Sequence, residues 1–556
     1  MLKYKGYLLA ILATFFFQSC GLEKMVSEFN TVNFQVIPTQ VEVHGGKISV
    51  ELNVTIPEKY FYKSASAEFR AMLSDGLNSE NKYYFSSITL QGEKISANGT
   101  TIGYVTGGQF TYKSEIDYNE SMFDYNLYAT ATATANNTTK DLGAVKIADG
   151  VMATATRVQS NEIASYSNHT YEKETILEKA ATIYFSVNQS VVRYSQKSSA
   201  EIKELKEFAR LGYKTKNIEI NSFASPEGTL DINDKVSQNR SKSTFNYAKS
   251  LMRSLKIDGY KNDDIYINSS VGEDWNGFNS LVQSSRMKDK SKVLNIVRSQ
   301  KDPQKREEAI RDMSEIYDAI EDEVLPKLRK ATITVRSFEP KKSDEEIAQL
   351  AISDPSKLDI KELLYAASNY NDNSIKKTIY NTIIELFPND HRAHNNLACL
   401  AIEQNNLNLA KEHLDKANSI SQNESEVIEN YGIIAAKENN LEKAQKLYTQ
   451  SNANNINKGI LNIMVGNYSQ AVNQLKGNDF NATLARVMNK DYSKFTNDDS
   501  AHGNYLNAII CARQNNSQKA LEFLSKAIVN KELKSQAQKD IEFINLRNEI
   551  GFTKLF

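Results

Sequence analysis

Apolar and polar residues alternate along two stretches in the first third of the chain. Residues 47–54 (KISVELNV) and 125–135 (YNLYATATATA) follow a period of two, which places the apolar side chains on one face of a β-strand. Turn-forming pairs lie between such stretches, namely Gly45-Gly46, Asp75-Gly76, Asn98-Gly99 and Gly107-Gly108. Short alternating strands separated by turns predict an all-β sandwich domain over residues 28–178, with a spacing or docking role.

In the centre of the chain, strand-like patterns alternate with helix-like ones. A helix with one apolar stripe is expected between the first two strands, and a second helix from about Ser237. This alternation predicts an α/β sandwich over residues 179–340, interrupted by a helical insertion at 273–325. The predicted strands are residues 181–187, 217–224, 264–268 and 331–337.

The C-terminal part of the chain, residues 341–556, repeats itself with a step of 34 residues. The recurring positions are a small residue (Ala367, Ala401, Ala435), a turn residue (Asn371, Asn405, Asn439) and a large residue (Tyr380, Leu414, Tyr448). These features resemble tetratricopeptide repeats (TPR), in which small residues allow paired helices to approach closely and each unit packs only on its neighbours. The resemblance implies an α-helical TPR solenoid.

Such arrays bind partner segments along their concave side. By register, the groove-facing positions of the first helix in each repeat are Lys361, Tyr365, Arg392, Asn395, Glu429 and Ile433. They do not reproduce the two-carboxylate clamp of chaperone-binding arrays, so the identity of the protein partner stays open. A purely structural tail is the alternative.

The first residues of the chain have the pattern of a targeting signal. A basic start precedes an apolar run too short to span a bilayer, which is typical of a secretory signal peptide over 1–19. The run ends in Phe17-Gln18-Ser19-Cys20-Gly21, which resembles the lipobox of bacterial lipoproteins. The resemblance implies lipid attachment at Cys20, a lipidated linker over 20–27, and anchoring in the outer membrane on its periplasmic side. An ordinary signal peptide with an incidental cysteine is the alternative.

The order of elements in the centre, with Phe223–Gly228, Asn233 and Val236–Arg240, resembles the OmpA-like peptidoglycan-binding domain over about 180–337. In that family an aspartate and an arginine fifteen residues later hold the diaminopimelate of the stem peptide. The resemblance places Arg240 at the arginine position, Ser225 at the aspartate position and Asn233 at an asparagine position. A guanidinium can grip a carboxylate through two parallel hydrogen bonds.

Ser225 carries no charge to pair with the ammonium group of the ligand. Glu227 or Asp231 is the hypothetical source of that charge, since both lie in the same loop. The alternative is that Arg240 is an ordinary solvated helix residue in a domain that has lost wall binding.

Composition excludes several functional classes. Lys+Arg 67 against Asp+Glu 68 leaves a net charge of −1, which cannot support generic nucleic-acid binding. Three cysteines among 556 residues exclude a disulfide scaffold. His391, His394 and His413 have no acidic or thiolate residue to complete a metal shell, and no phosphate loop or catalytic motif occurs. We therefore expect no enzyme activity, no metal and no cofactor.

Taken together, the chain is similar to multidomain OmpA-family outer-membrane lipoproteins. This predicts a non-catalytic envelope protein that tethers the outer membrane to peptidoglycan and docks proteins on its TPR array. The alternative is an adaptor of a secretion, fimbrial or uptake complex that does not bind peptidoglycan. A hidden hydrolase is a third, more distant hypothesis.

Overall fold

The computed structural model describes residues 21–96 and 98–556. The predicted signal peptide and the predicted lipid attachment at Cys20 lie outside the described residues. The chain forms two compact units: one combines the described residues up to Asn168 with Asn371–Phe556, and the other is His169–Tyr370. In the described part of the chain, no helix is both long and apolar enough to cross a bilayer.

The strands belong to three sheets. In chain order they are β1 (Asn33–Ile37), β2 (Val41–His44), β3 (Lys47–Ile56), β4 (Ser66–Ser74), β5 (Lys82–Tyr84), β6 (Ile88–Gly92), β7 (Thr100–Ile102), β8 (Gly108–Asp117), β9 (Asn126–Ala135), β10 (Thr138–Ala148), β11 (Val151–Met152), β12 (Ile176–Tyr184), β13 (Thr215–Ala224), β14 (Tyr266–Glu273) and β15 (Lys330–Phe338).

The helices follow mainly in the second half of the chain. They are α1 (Tyr194–Lys197), α2 (Ala200–Ala209), α3 (Leu230–Leu255), α4 (Trp275–Ser284), α5 (Lys290–Ser299), α6 (Pro303–Arg311), α7 (Ser314–Glu323), α8 (Leu325–Leu328), α9 (Asp344–Ser353), α10 (Ile360–Asn369), α11 (Asn373–Leu386), α12 (Arg392–Glu403), α13 (Leu407–Ile420), α14 (Ser425–Lys437), α15 (Leu441–Gln450), α16 (Asn455–Met464), α17 (Tyr468–Gln474), α18 (Phe480–Met488), α19 (Ala501–Arg513), α20 (Ser517–Ala527), α21 (Lys531–Lys539) and α22 (Ile550–Thr553).

The first two sheets form the predicted β-rich N-terminal region, which is confirmed. One sheet has the order β1-β3-β2-β11 with β8 also paired to β3, and the other has the order β10-β9-β4-β6-β7 with β5 paired to β4. Along β3, Ile48, Val50 and Leu52 are buried while the residues between them face outward. Period-two alternation therefore supplies the common core of both sheets.

The sandwich and the C-terminal helices belong to the same unit and touch each other. His44 Nδ1 lies 3.1 Å from the hydroxyl of Tyr468. The guanidinium of Arg513 lies 3.5 Å from Glu42. Polar side chains of the strand β2 thus meet polar side chains of the helical array.

The third sheet lies in the unit His169–Tyr370 and has the order β12-β15-β13-β14. Strands β13 and β14 are parallel and the other pairs are antiparallel. A parallel pair needs a crossover connection, and α3 provides it. The helices α2 and α3 cover a core that includes Ile220 and Ile333. Helix α3 begins at Leu230, seven residues before the predicted start at Ser237. The prediction missed these first turns because their residues are largely polar, and in the structure most of them are exposed.

Helices α4–α8 form the insertion between β14 and β15. They have their own hydrophobic core, which contains Phe278, Val293 and Leu328. Trp275, the only tryptophan of the chain, stands at the start of α4 and packs on Phe278 with ring centroids 5.3 Å apart. Its fluorescence therefore reports on this unit and on no other part of the chain.

Asparagine pairs shape the hairpins of the C-terminal array, and the predicted helical repeat region is confirmed. Asn405 and Asn439 adopt left-handed backbone conformations, with φ of 55° and 59°, which asparagine tolerates better than most residues. The next residues, Asn406 and Asn440, then cap the second helix of each pair by accepting a backbone N–H. Each Asn-Asn pair thus ends one helix and starts the next.

Gly432 in α14 and Tyr448 in α15 show why small residues recur in the array. A Cβ at position 432 would lie 2.5 Å from ring atoms of Tyr448. The ring is buried, and its hydroxyl has no hydrogen-bond partner among the described residues. Gly432 thus leaves room for the ring of Tyr448, whose hydroxyl oxygen is buried without such a partner.

We predict opposite effects for two substitutions at Tyr448. Tyr448→Phe should leave the free energy of unfolding unchanged or raise it by up to about 1 kcal/mol, since the lost hydroxyl is unpartnered. Tyr448→Ala should lower it by about 3–5 kcal/mol because a cavity forms. Urea unfolding followed by helical circular dichroism measures both. Tyr431→Phe is the matched control: it removes a hydroxyl that donates to Asp415 at 2.5 Å and should destabilise. Equal losses for both Phe variants would contradict the prediction.

Candidate functional site

Arg240, the residue predicted to grip the stem peptide, is buried with 1% of its surface exposed. Its guanidinium donates to three main-chain carbonyls: Nε to Gln189 at 3.0 Å, Nη1 to Phe223 at 2.9 Å and Nη2 to Ser186 at 3.3 Å. Burial, with the nearby charge of Arg329, lowers the pKa of Arg240 to about 10. In this conformation a ligand carboxylate cannot reach the guanidinium. In this structure Arg240 ties the backbone of residues 186, 189 and 223 to α3, and its role in ligand binding stays a prediction.

Glu227, the hypothetical counter-charge for the ligand, already has a partner. Its two carboxylate oxygens accept from Arg329 at 2.7 and 2.8 Å. Ser225, at the family's aspartate position, is itself buried and donates to Glu227 at 2.7 Å. Burial raises the pKa of Glu227, but the hydrogen bonds from Arg329 and Ser225 outweigh it and hold the pKa below its usual value. Ser225 and Glu227 thus meet, but in a closed ion-pair network. Sequence reasoning did not find Arg329 as a partner, because it lies 102 positions away from Glu227.

The helical insertion closes over the same loop. The backbone N–H of Gly228 donates to Glu307 of α6 at 2.8 Å. Asn233, the family's asparagine position, donates to Glu273 at 2.8 Å, and Trp275 donates to the same carboxylate at 2.9 Å. Ser225, Glu227 and the N–H of Gly228 in the loop after β13 are therefore bonded to residues of this chain.

A second candidate site lies on the C-terminal array, where residues 159–167, here called the groove segment, run across successive repeats. A tight turn, closed by a hydrogen bond from Asn161 N–H to Gln159 C=O at 3.0 Å, lies near its start. Asn481, Asn457, Asn430 and Asn396 each accept a hydrogen bond from a backbone N–H and donate one to the C=O of that same residue. An asparagine amide offers this acceptor and donor side by side. The N–H distances are 2.9 Å for Gln159 and 2.8 Å for Ile163, Ser165 and Ser167; the C=O distances are 2.7, 2.9, 2.9 and 3.4 Å in the same order.

Side chains of the groove segment add a second set of contacts. Glu162 forms a buried ion pair with Lys437 at 3.1 Å. The hydroxyl of Tyr166 donates to Glu403 at 2.7 Å. Ala164 is buried in the apolar cluster of the array. The segment is thus held by backbone and by side-chain interactions.

Just before the groove segment, the turn Thr154–Arg157 anchors the chain to the far end of the array. Arg157 pairs with Asp540 at 3.1 Å, and its guanidinium lies 4.0 Å from the ring centroid of Tyr505. Thr154 donates to Glu542 at 2.5 Å. These partners are buried, so the contact is protected from solvent screening.

Three of the six residues predicted to face the groove form hydrogen bonds there. Asn395 donates to the C=O of Ser165 at 2.9 Å, and Arg392 donates to the C=O of Asn168 at 3.4 Å. Glu429 accepts a hydrogen bond from Asn457 at 2.9 Å and so orients the asparagine that binds the backbone of Ile163. The register prediction missed all four asparagines that pair with the segment backbone. Asn396 and Asn430 stand one position beyond Asn395 and Glu429, and their 34-residue spacing was the available signal. Asn457 and Asn481 do not keep that spacing.

The other three predicted groove positions do not line the groove surface beside the segment backbone. Ile433 is fully buried in the same cluster as Ala164. Lys361 and Tyr365 lie in α10, within the unit His169–Tyr370. There the Tyr365 hydroxyl donates to Asp344 at 2.8 Å and its ring lies 4.8 Å from that of Tyr171.

Cys399 and Cys511 are free, buried thiols. Cys399 Sγ donates to the C=O of Ser165 at 3.2 Å. Burial raises the pKa of the Cys399 thiol well above its usual value, so the group stays protonated and can donate. Its role in the groove is that of a small hydrogen-bonding residue.

Two of the three histidines noted in the sequence form a pair. The Nδ1 atoms of His394 and His413 lie 3.3 Å apart. Burial, then the charges of His413 and Lys416, lower the pKa of His394 to about 4. Burial likewise lowers the pKa of His413. Within residues 21–96 and 98–556, no group of three His, Cys, Asp or Glu side chains is arranged to hold a metal ion.

Comparison with known proteins gives weak similarity to several solved structures, among them repeat proteins. No protein-family model matches the chain, and no curated protein matches it. The APC/C hetero-tetramer Cut9-Hcn1 is 12% identical, with a TM-score of 0.23 over 59% of this chain and 66% of that one, just under two thirds. A tetratricopeptide repeat protein from Parabacteroides merdae is 14% identical, with a TM-score of 0.22 over 55% and 95%.

A third solved structure, PilF of Pseudomonas aeruginosa, is 12% identical, with a TM-score of 0.19 over 38% of this chain and 95% of that one. TM-scores this low carry no argument about the chain. The repeat array of this chain is identified instead from its own helix pairs and from the 34-residue step of its sequence.

Asn396, Asn430, Asn457 and Asn481, which pair with the backbone of the groove segment, are here called the asparagine clamps. We predict that they stabilise the array. Asn430→Ala should lower the free energy of unfolding by about 1–3 kcal/mol, because the partly buried N–H and C=O of Ser165 lose a buried partner. Urea unfolding followed by helical circular dichroism measures the change. Asn408→Ala is the matched control, since Asn408 is exposed on α13 and alanine favours helix. Similar stability of both variants would show that the clamps do not hold the segment.

We predict that the histidine pair makes the array sensitive to acid. Because the folded pKa of His394 is below the unfolded value, its contribution to stability is complete above about pH 6.5 and is lost as the pH falls towards about 4. At about pH 5 the loss should reach about 2 kcal/mol. Unfolding free energies at several pH values should therefore fall more steeply for the wild type than for His394→Gln.

His502→Gln is the control for this pH series, because His502 lies on the exposed surface of the same array. Its stability should follow the wild-type pH dependence. A His394→Gln profile parallel to the wild type would contradict the assignment.

Proposed function

We propose that this chain is a non-catalytic scaffold of the cell envelope that docks partner proteins and does not tether the membrane to peptidoglycan. The observation that carries the proposal is the burial of Arg240 against three main-chain carbonyls. A wall-binding arginine has to be open to a carboxylate. This one would first have to give up those bonds, at a cost that an exposed arginine does not have.

The unit His169–Tyr370 is, in this proposal, an OmpA-like domain kept as a structural module. Its strand and helix order supports the resemblance, since the parallel pair β13 and β14 flanks the crossover helix α3. The helices α4–α8, inserted between β14 and β15, supply Glu307 to the loop that would meet the ligand. Attachment through lipid at Cys20 and a periplasmic, outer-membrane location rest on the lipobox resemblance alone.

The docking role is proposed for the C-terminal array. Stacked helical repeats present extended surfaces that suit polypeptide partners. The groove of this array contains polar side chains aimed at a peptide backbone, which supports protein binding over binding of a small molecule. Wall tethering remains the competing function.

One experiment with two readouts separates the two functions. The full-length protein is crosslinked in membranes and purified, and its binding to purified peptidoglycan is measured in parallel. We expect a stoichiometric protein complex, and wall retention of the wild type within about twofold of Arg240→Gln. Arg253→Gln, an exposed change on the same helix, is the control for charge. Trp275 fluorescence verifies that each variant is folded. Strong retention that only Arg240→Gln abolishes would establish tethering instead.

A further inference from the structure

The groove segment shows what the concave side of the array recognises. Asn396, Asn430, Asn457 and Asn481 bind backbone groups, which every residue except proline carries in full. From 163 to 167 every second residue is bound in this way, so these contacts require an extended backbone there and tolerate many sequences. Side-chain selectivity comes from a few other positions.

Three side-chain requirements can be read from the segment. An acidic residue at 162 meets Lys437, whose side chain is 12% exposed while that of Glu162 is 2% exposed. Two positions further on, Ala164 is packed against the array with 9% exposure, so only a small residue fits. Tyr166 then reaches Glu403. Ile163, by contrast, is 50% exposed and sets no requirement.

We propose that this groove is a receptor for an extended polypeptide of a partner protein, with the pattern acidic, any, small, any, tyrosine, and that residues 159–167 are its built-in competitor. The proposal rests on the docking function proposed above and names the chemistry of the docked partner. A partner segment enters by replacing the groove segment and forming the same backbone pairs with the asparagines.

Competition by a covalently linked segment has a predictable effect on affinity. A tethered segment acts at an effective concentration in the millimolar range, so a free peptide of equal intrinsic affinity binds the wild type only weakly. Removing the side chains of the tethered segment should weaken it as a competitor, because its contacts with Lys437 and Glu403 are lost while the free peptide keeps them. The receptor thus becomes measurable in a variant of the chain.

The test uses the full chain with residues 158–167 replaced by a Gly-Ser sequence of equal length. A fluorescent synthetic peptide of the sequence 157–168 is titrated, and its anisotropy is measured. We expect saturable binding to the variant, at least about tenfold tighter than to the wild type. A peptide with Glu162→Lys should bind at least about tenfold more weakly because it opposes Lys437. A peptide with proline at 163 and 165, which lacks two clamped N–H groups, should not bind.

Variants of the groove complete the test. In the Gly-Ser chain, Asn430→Ala should weaken the peptide, whereas the exposed Asn408→Ala should not. If the Gly-Ser chain does not fold, Ile163→Pro with Ser165→Pro in the otherwise intact segment loosens it by removing the same N–H donors.

A folded variant that binds no peptide overturns the proposal. So does a failure of both variants to fold even with saturating peptide, since the segment is then an obligatory part of the array core. Because purified protein and a synthetic peptide are used, this outcome is independent of whether the chain captures a complex in membranes or binds peptidoglycan.

Discussion

A buried peptide backbone must find partners for its N–H and C=O groups, and in this protein an extended segment finds them in asparagine side chains. Each of the clamps at Asn396, Asn430, Asn457 and Asn481 replaces the bonds that a neighbouring β-strand would have made. The segment connects the sandwich to the array over the length of the repeats. The position of the β-rich region on the helices therefore depends on these amides, with polar contacts such as His44 to Tyr468 around them.

The same principle applies to the unit His169–Tyr370, where polar side chains form hydrogen bonds with other residues of this chain. Arg240, Glu227 and Ser225 are the residues that a wall-binding domain would offer to its ligand, yet each bonds to another part of this chain. Glu307 from the helical insertion binds the loop backbone as well. In this structure the residues that resemble a ligand grip in sequence lie in a junction between the sheet and the inserted helices.

Sequence reasoning was most successful where a pattern repeats and least successful where partners are distant. The alternation along β3 and the Asn-Asn pairs at 405–406 and 439–440 are local signals, so strands and hairpins could be read from them. The groove register included Asn395, which contacts the segment, but not its neighbour Asn396, because helical period alone does not distinguish neighbouring positions at the edge of a face. The early start of α3 was missed since its first turns are polar.

The sequence by itself determined the kinds of element and their order, because hydrophobic periodicity, capping and turn preferences act over a few residues. Only the tertiary structure decided that Arg240 is closed off and that residues 159–167 occupy the groove. Both outcomes depend on contacts between residues far apart in the chain, such as Glu227 with Arg329 and Ser165 with Asn430. Such pairs are chosen by burial and by the need to satisfy every buried polar group, and no local pattern encodes them.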